Sequence, residues 1–225
     1  VLGRLRRALL RLAVGFVALS VGWTALYAVA NPPVTLLMLL EWRRLGDIER
    51  SWRDLEAISP NLVRAVIAAE DARFCDHRGF DLDAIRQAIA EREDGRFRGA
   101  STISQQTAKN AFLWPRSDWA RKGLEAGFTV LIEAIWGKRR IMEVYLNVAE
   151  FGEGVFGAEA AARRWFDRSA AELTLAQAAR LAAILPSPRA RNAARPSAFV
   201  AGRARSIAGG AETIRAEGRD ACVLG

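Results

Sequence analysis

Apolar and polar positions divide the chain into two regimes. From Leu12 to Leu40 no charged residue occurs. Beyond residue 60 the apolar residues recur every three or four positions, the spacing of one helix face. The first part of the uncharged stretch, 12–30, would rise about 28 Å as a helix, close to the hydrocarbon thickness of a bilayer. Asn31-Pro32-Pro33 ends it, because proline cannot continue the hydrogen-bond ladder. The second part, 33–40, is too short to span. With Glu41-Trp42-Arg43-Arg44 at its margin, it suits either a surface lying on the outer leaflet or a core helix of the domain that follows.

The periodic region predicts consecutive helices with short breaks. One opens at Pro60 and carries Leu62, Val63, Val66 and Ile67 on its apolar side. Others are expected at 82–92, 101–112, 119–136, 138–149, 173–185 and 196–208. No alternating run is long enough to predict a sheet, and no internal repeat occurs. The expected fold class is therefore mostly α, with a single-pass transmembrane helix at 12–30 and one helical domain at 31–208. After Gly209-Gly210 the tail, 209–225, is small and polar and is expected to be flexible.

Composition sharpens this picture. The 225 residues are 51% hydrophobic, which excludes wholesale disorder, and 33 basic against 25 acidic side chains leave a net charge of +8. The excess is uneven: Arg4, Arg6, Arg7 and Arg11 precede the span, and residues 1–11 contain no acid. Such a cluster stays in the cytoplasm, which puts residues 31–225 on the far side of the membrane. Trp23 and Tyr27 near the outer end suit an interfacial aromatic belt. A secretory signal peptide is the competing reading, since Ala28-Val29-Ala30 fits a small-x-small cleavage site. The length of the span and its two aromatics favour an uncleaved anchor. Two cysteines, Cys75 and Cys222, and one histidine, His77, exclude a disulfide framework and a His-rich metal centre. Two free thiols are expected from so long a separation, although an oxidising compartment permits the pair.

Four clusters carry candidate chemistry. In the first, Glu70-Asp71-Ala72-Arg73-Phe74-Cys75-Asp76-His77-Arg78-Gly79, Glu70 continues the stripe of Val63, Val66 and Ile67. A carboxylate on that face is partly desolvated, the setting in which it works as general base or acid near neutral pH. The plain alternative is a carboxylate that caps the stripe and pairs with a nearby arginine. In the second, Gly99 to Asn110, Ser101 is a good N-cap, and Thr102, Gln106, Lys109 and Asn110 form one hydrogen-bonding face fit for sugar hydroxyls and a phosphate. The same string imitates a DNA recognition helix. Its would-be partner, Leu173 to Gln177, lies far away and in the wrong order, so no nucleic acid is expected. In the third, Arg121-Lys122-Gly123-Leu124-Glu125, Arg121 and Glu125 are one turn apart. They could form a simple ion pair, or Arg121 could aim its planar fork at phosphate. The fourth, Ile141 to Gly152, mixes a packed side with the polar Glu143, Asn147 and Glu150. Gly152-Glu153-Gly154-Val155-Phe156-Gly157 imitates a dinucleotide-binding loop, but it follows a predicted helix and is read as a flexible turn.

Taken together, E-D-x-x-F-x-x-H-x-G, G-x-S-T-I-x-Q-Q-x-x-K-N, R-K-x-x-E and I-M-E-V-Y-L-N-V-A-E-F-G resemble the peptidoglycan glycosyltransferase family over roughly residues 31–200. No transpeptidase domain follows, so the resemblance is to its monofunctional branch. It implies a lysozyme-like helical domain at the outer face of the bacterial cytoplasmic membrane, with lipid II and the nascent glycan chain as substrates. The growing lipid-linked chain would pass to the 4-hydroxyl of lipid II with inversion, making β-1,4 links and releasing undecaprenyl pyrophosphate.

The resemblance also implies roles. Glu70 would be the general base, and Glu125 a second acidic residue near the leaving group. Lys109 and Arg121 would hold phosphates, alongside Gln106, Asn110, Thr102 and Ser101 in the binding face. Asp71, Phe74, His77 and Gly79 would support the site. No cofactor is required, although a divalent cation, magnesium or manganese, could assist at the pyrophosphate without a dedicated cage. Cell-division or elongation proteins are further candidate partners. The Pro186-Ser187-Pro188 loop and the basic 189–195 segment depart from the pattern. Two other readings stay open: a peptidoglycan hydrolase on the same fold, and an inactive membrane-anchored cell-wall scaffold. Hydrolysis needs carboxyl groups but no phosphate clamp, so Lys109 and Arg121 favour the synthase.

Overall fold

Eleven α-helices, two short 3₁₀ turns and one small sheet are formed by residues 2–93, 99–116 and 118–225, which the computed structural model describes. Val1 of the basic N-terminus lies outside them. Helix α1, Leu2–Val29, is long and apolar enough over Gly3–Val29 to cross a membrane. Its far end is docked on the domain. Trp136 Nε1 donates to the carbonyl of Thr24 at 2.7 Å, and Arg140 Nη2 donates to those of Tyr27 at 3.0 Å and Ala30 at 2.9 Å. Tyr27, expected at the membrane interface, is instead buried and stacks on Phe112. Trp23 stays half-exposed, edge-on to the same ring. The apolar patch that follows enters helix α2, Leu36–Leu45, whose apolar residues divide between the core and the surface. Met38 is in the core, whereas Leu36, Leu39, Leu40 and Trp42 are exposed.

The soluble part is built from two helix groups sharing one core. Helices α3 (Pro60–Glu70), α9 (Leu175–Ile184) and α10 (Ala198–Ala216) pack on one another. Helices α5 (Ile103–Phe112), α6 (Trp119–Ile135) and α7 (Gly137–Val148) form the second group, with α1 against α6 and α2 against α5. Local chemistry sets the starts. Ser59 caps α3 ahead of Pro60, Asp118 caps α6, and Thr174 caps α9 through a reciprocal bond with Gln177. Helix α5 begins two residues later than expected because Thr102, not Ser101, is its cap, closed into a box with Gln105. Helix α4 spans Leu82–Glu93, and α8 spans Ala158–Phe166. Buried Glu159 of α8 has its pKa lowered to about 2, because hydrogen bonds from Arg53, the Ala170 amide and Arg163 outweigh its desolvation.

Four expectations are corrected. A sheet exists: β1 (Glu49–Arg50) pairs parallel with β3 (Val155–Phe156), which pairs antiparallel with β2 (Glu150–Gly152). Strands of two or three residues are too short for alternation to appear in a sequence. The glycine-rich string is thus an ordered hairpin, and Gly157 takes φ 87° where a Cβ would come within 2.9 Å of the Asn147 carbonyl. The segment 209–225 is also folded. Helix α10 runs through Gly209-Gly210 because Val200, Ala204, Ile207, Ala211 and Ile214 form one buried stripe. Gly210 lets α10 approach α3, since a Cβ there would lie 3.1 Å from that of Ala68. A final turn, α11 (Ala221–Leu224), rests on α7. Asp220 accepts from Arg64 Nε at 2.6 Å, and Arg139 Nη1 donates to the Val223 carbonyl at 2.8 Å. Cys222 then forms a disulfide with Cys75, their Cα atoms 5.6 Å apart, where free thiols were expected. The tertiary return of the tail across α3 and α7 makes that pairing, and separation in sequence carries no information about it.

Candidate active site

Glu70 is the last residue of α3, and the chain turns away at Asp71. The apolar stripe therefore delivers a carboxylate to the end of a buried helix. Its Oε2 accepts from Gln106 Nε2 on α5 at 2.9 Å. The Gln106 amide is held in turn by the Tyr145 hydroxyl on α7, which donates to Oε1 at 3.5 Å. Full burial pushes the Tyr145 hydroxyl well above the usual tyrosine range, with the Glu70 and Asp71 charges adding to the effect, so Tyr145 stays a donor. Glu70 opens on a cleft of about 230 Å³, lined also by Asp71, Arg73, Asp81, Asp83, Ser101 and Thr102.

The supporting residues tie the turn after Glu70 to the start of α5. Asp71 Oδ1 accepts from His77 Nε2 at 2.9 Å, and its Oδ2 accepts the Ile103 amide at 3.0 Å. Thr102 Oγ1 donates to the Gly79 carbonyl at 2.6 Å. Gly79 has φ 91°, and a Cβ there would sit 2.6 Å from Thr129 Cγ2. Phe74 is fully buried, with Lys138 Nζ 4.4 Å from its ring centre. Lys138 pairs with Glu133 at 2.7 Å, and Glu133 also accepts from Ser104 on α5. These residues build the frame around Glu70, while Ser101 borders its cleft.

Lys109, Asn110, Arg121 and Glu125 stand on a different side. Lys109 and Asn110 line a small pocket of about 80 Å³ with Leu37, Leu113, Trp114 and Pro115. The sequence expectation of one continuous polar face on α5 is thus divided: Gln106 turns to Glu70, and Lys109 to this second pocket. Burial lowers the Lys109 pKa, opposed by Glu125 and Glu70 and reinforced by Arg121 and Lys122. Arg121 and Glu125 form the i, i+4 pair, with Arg121 Nη1 donating to Glu125 Oε2 at 2.5 Å. Lys122 takes the other carboxylate oxygen. Both side chains of the Arg121–Glu125 pair are almost wholly buried, and Arg121 Nε has no hydrogen-bond partner. Glu125 therefore clamps two cations in place. Arg121 keeps one donor free.

The Lys109 pocket shares Leu113 and Trp114 with a much larger apolar groove of about 700 Å³ between α1 and the α5–α6 pair. Leu19, Trp23, Leu26 and Phe128 line it. Cationic side chains thus stand beside the mouth of a greasy channel that runs along the anchor. With Glu125 already spoken for, the donors beside Lys109 are cationic and do not suit a divalent cation. Among the described residues no three His, Cys, Asp or Glu side chains converge on a metal position.

The polar side of the fourth cluster is architectural. Asn147 Oδ1 accepts the Arg53 amide at 2.8 Å, and its Nδ2 donates to the Arg53 carbonyl at 2.8 Å. Glu143 accepts the Leu55 amide at 3.1 Å. Glu150 binds Arg189 of the basic 189–195 segment, and burial raises the Glu150 pKa despite that arginine. Sequence reasoning overlooked three residues at the site: Tyr145, read as core packing, Lys122, quoted within its motif without a role, and Arg203 of α10. The first two lay within quoted motifs. Nothing in the periodicity of α10 distinguishes Arg203 from its other arginines.

Residues 39–211 match the transglycosylase family model. The chain is 56% identical over 218 residues to a biosynthetic peptidoglycan transglycosylase of Jannaschia sp., covering 97% of this chain and 90% of that protein. It is 53% identical over 220 residues to the protein of the same name in Caulobacter vibrioides, covering 97% and 96%. It is 50% identical over 208 residues to that of an Escherichia coli strain, covering 88% and 86%.

Proposed function

The chain belongs to the transglycosylase family, and from that premise we propose that Glu70 is the general base of its reaction and that Lys109 and Arg121 receive the pyrophosphate. The protein is a peptidoglycan glycosyltransferase that polymerises glycan strands from lipid II. In the proposed step, Glu70 removes the proton of the lipid II 4-hydroxyl. The freed oxygen attacks the anomeric carbon of the growing chain, the bond to undecaprenyl pyrophosphate breaks, and the β-1,4 link forms with inversion. Gln106 orients the base through Oε2. Lys109 and Arg121 meet the charge that develops on the leaving oxygen, and Glu125 holds Arg121 and Lys122 in position. The apolar groove receives the lipid tail, which places the sugar end toward the α5 face.

One observation carries the assignment of the base. Glu70 borders the cleft and keeps one oxygen without a hydrogen bond, whereas Asp71 and Glu125 use both of theirs. No step is routed through a divalent cation, because the side chains around Lys109 and Arg121 supply positive charge themselves. The anchor is read with Arg4, Arg6, Arg7 and Arg11 in the cytoplasm and the catalytic domain on the outer face.

Incubation of purified, detergent-solubilised Glu70→Gln with labelled lipid II tests the base. The expected result is a loss of polymer formation of at least about a hundredfold, with the thermal unfolding midpoint unchanged. Wild type gives a ladder of glycan that lysozyme digests. A variant that makes the same ladder at full rate would remove Glu70 from the mechanism.

A further inference from the structure

The site leaves two buried polar atoms without a hydrogen bond, one on Glu70 and one on Arg203. Glu70 Oε1 is shielded and accepts no hydrogen bond, and Arg203 Nε is shielded and donates none. Arg203 Nη2 lies 3.8 Å from Glu70 Oε1, too long for a hydrogen bond and well within the range of strong charge attraction. Among the described residues Arg203 is the cation within 4.0 Å of that carboxylate. It reaches the base from α10, whereas Gln106 reaches it from α5.

We propose that Arg203 is a positioning residue of glycan polymerisation, holding the Glu70 carboxylate by charge from α10 while leaving Oε1 without a hydrogen bond. The inference rests on the reading of Glu70 as the base. Its physical logic is a division of labour between the two carboxylate oxygens. A general base must arrive without a proton, yet a carboxylate oxygen in a shielded place costs free energy unless something compensates its charge. A direct hydrogen bond would compensate it but occupy the lone pair that the reaction needs. A guanidinium standing off by about one ångström more than a hydrogen bond supplies the charge and leaves the lone pair open.

The other charged groups around Glu70 do not duplicate this role. Lys109 on α5 attracts it but sits in the neighbouring pocket and has Glu125 as its nearer influence. Tyr145 on α7 stays neutral, and Asp71 beside it is negative and bound to His77. Asp81 and Asp83 border the same cleft, with Arg73 paired to Asp83 at 2.6 Å. Removing Arg203 would therefore leave mostly negative neighbours around the cleft beside the base.

The test is the pH dependence of kcat/KM on labelled lipid II for Arg203→Gln and Arg203→Lys in the full chain. Both variants lose the guanidinium fork, and only Gln loses the charge. Arg203→Gln should move the acid limb to higher pH by about one unit, a roughly tenfold loss on the acid side that recovers as pH rises. KM should change little, and Arg203→Lys should return the limb to the wild-type position. Equal losses in both variants with an unmoved acid limb would overturn the proposal and leave Arg203 a packing residue. Should Arg203→Gln not fold, as judged by thermal unfolding, Arg203→Met provides the neutral comparison with the same two outcomes. Glu70→Gln, measured alongside, separates the premises: full activity there would sink the base itself, whereas an unmoved limb in the Arg203 variants sinks only the role of the arginine.

Discussion

Lys109 illustrates how burial alters a single residue. Removal from water disfavours its charged form, and the pKa falls below the ordinary lysine value although Glu125 and Glu70 draw it back. A lysine so lowered loses its proton as pH rises, at a lower pH than an exposed one. The alkaline limb of kcat/KM should therefore fall below the roughly 10.4 of a free lysine. In Lys109→Arg that limb should vanish from the accessible range, because guanidinium does not titrate there. Lys109→Met should lower kcat/KM about tenfold to a hundredfold, the scale of one charge-assisted hydrogen bond. An alkaline limb unchanged in Lys109→Arg would assign the titration to another group. The sequence made Lys109 legible through its place in a polar helix face, but not its separation from Gln106 and Glu70. Positions three residues apart on α5 address two pockets because Gln106 meets Glu70 of α3, while Lys109 shares its pocket with Leu37 of α2.

At the scale of elements, the turn from α3 to α5 carries the site. Gly79 sits at φ 91° against Thr129 of α6, and its carbonyl receives the Thr102 cap of α5. Gly79→Ala brings a Cβ within 2.6 Å of Thr129 Cγ2 in a backbone conformation that an L side chain resists. The expected cost is about 2–3 kcal/mol of stability, seen as a lower unfolding midpoint, together with a fall in kcat as the α5 cap shifts. Thr129→Ser removes the clashing methyl group. Added to Gly79→Ala, it should return the steric share and leave the backbone share, and strictly additive effects would show that the two sites do not touch. Most helices were legible because their caps and stripes are local. The α5 start was misread by one capping residue, since Ser101 and Thr102 are both competent and only the reach of Thr102 to Gly79 chooses between them. The small sheet was illegible, because its strands are held by partners distant in the chain.

For the whole molecule, the Cys75–Cys222 bond joins the turn after Glu70 to the end of the chain, across 147 residues of sequence. It closes residues 75–222 into one loop and so restricts the unfolded chain. Cys222→Ser should lower stability by about 2–4 kcal/mol. Dithiothreitol should depress the unfolding midpoint of wild type and leave that of Cys222→Ser unmoved. A midpoint insensitive to both treatments would mean that the Arg64–Asp220 pair and the α10 stripe hold the tail without the bond. The oxidised pair also accords with the proposed placement of the domain on the outer face, where disulfides persist.

Much of this protein was already determined by the sequence alone. The uncharged stretch specifies an anchor-length helix, since transfer to lipid depends on composition and length. The apolar stripes and caps specify a mostly helical domain, since both are local in the chain. The four motifs point to the family, and Glu70 emerges at the end of its stripe. Tertiary structure alone decided the rest. It brought Arg203 to the free oxygen of Glu70, turned Gln106 and Lys109 to different pockets, packed Tyr27 into the domain and folded the tail onto Cys75. Each of these depends on where one element comes to rest against another. That choice is made by the packing of the whole core, and no local run of residues encodes it.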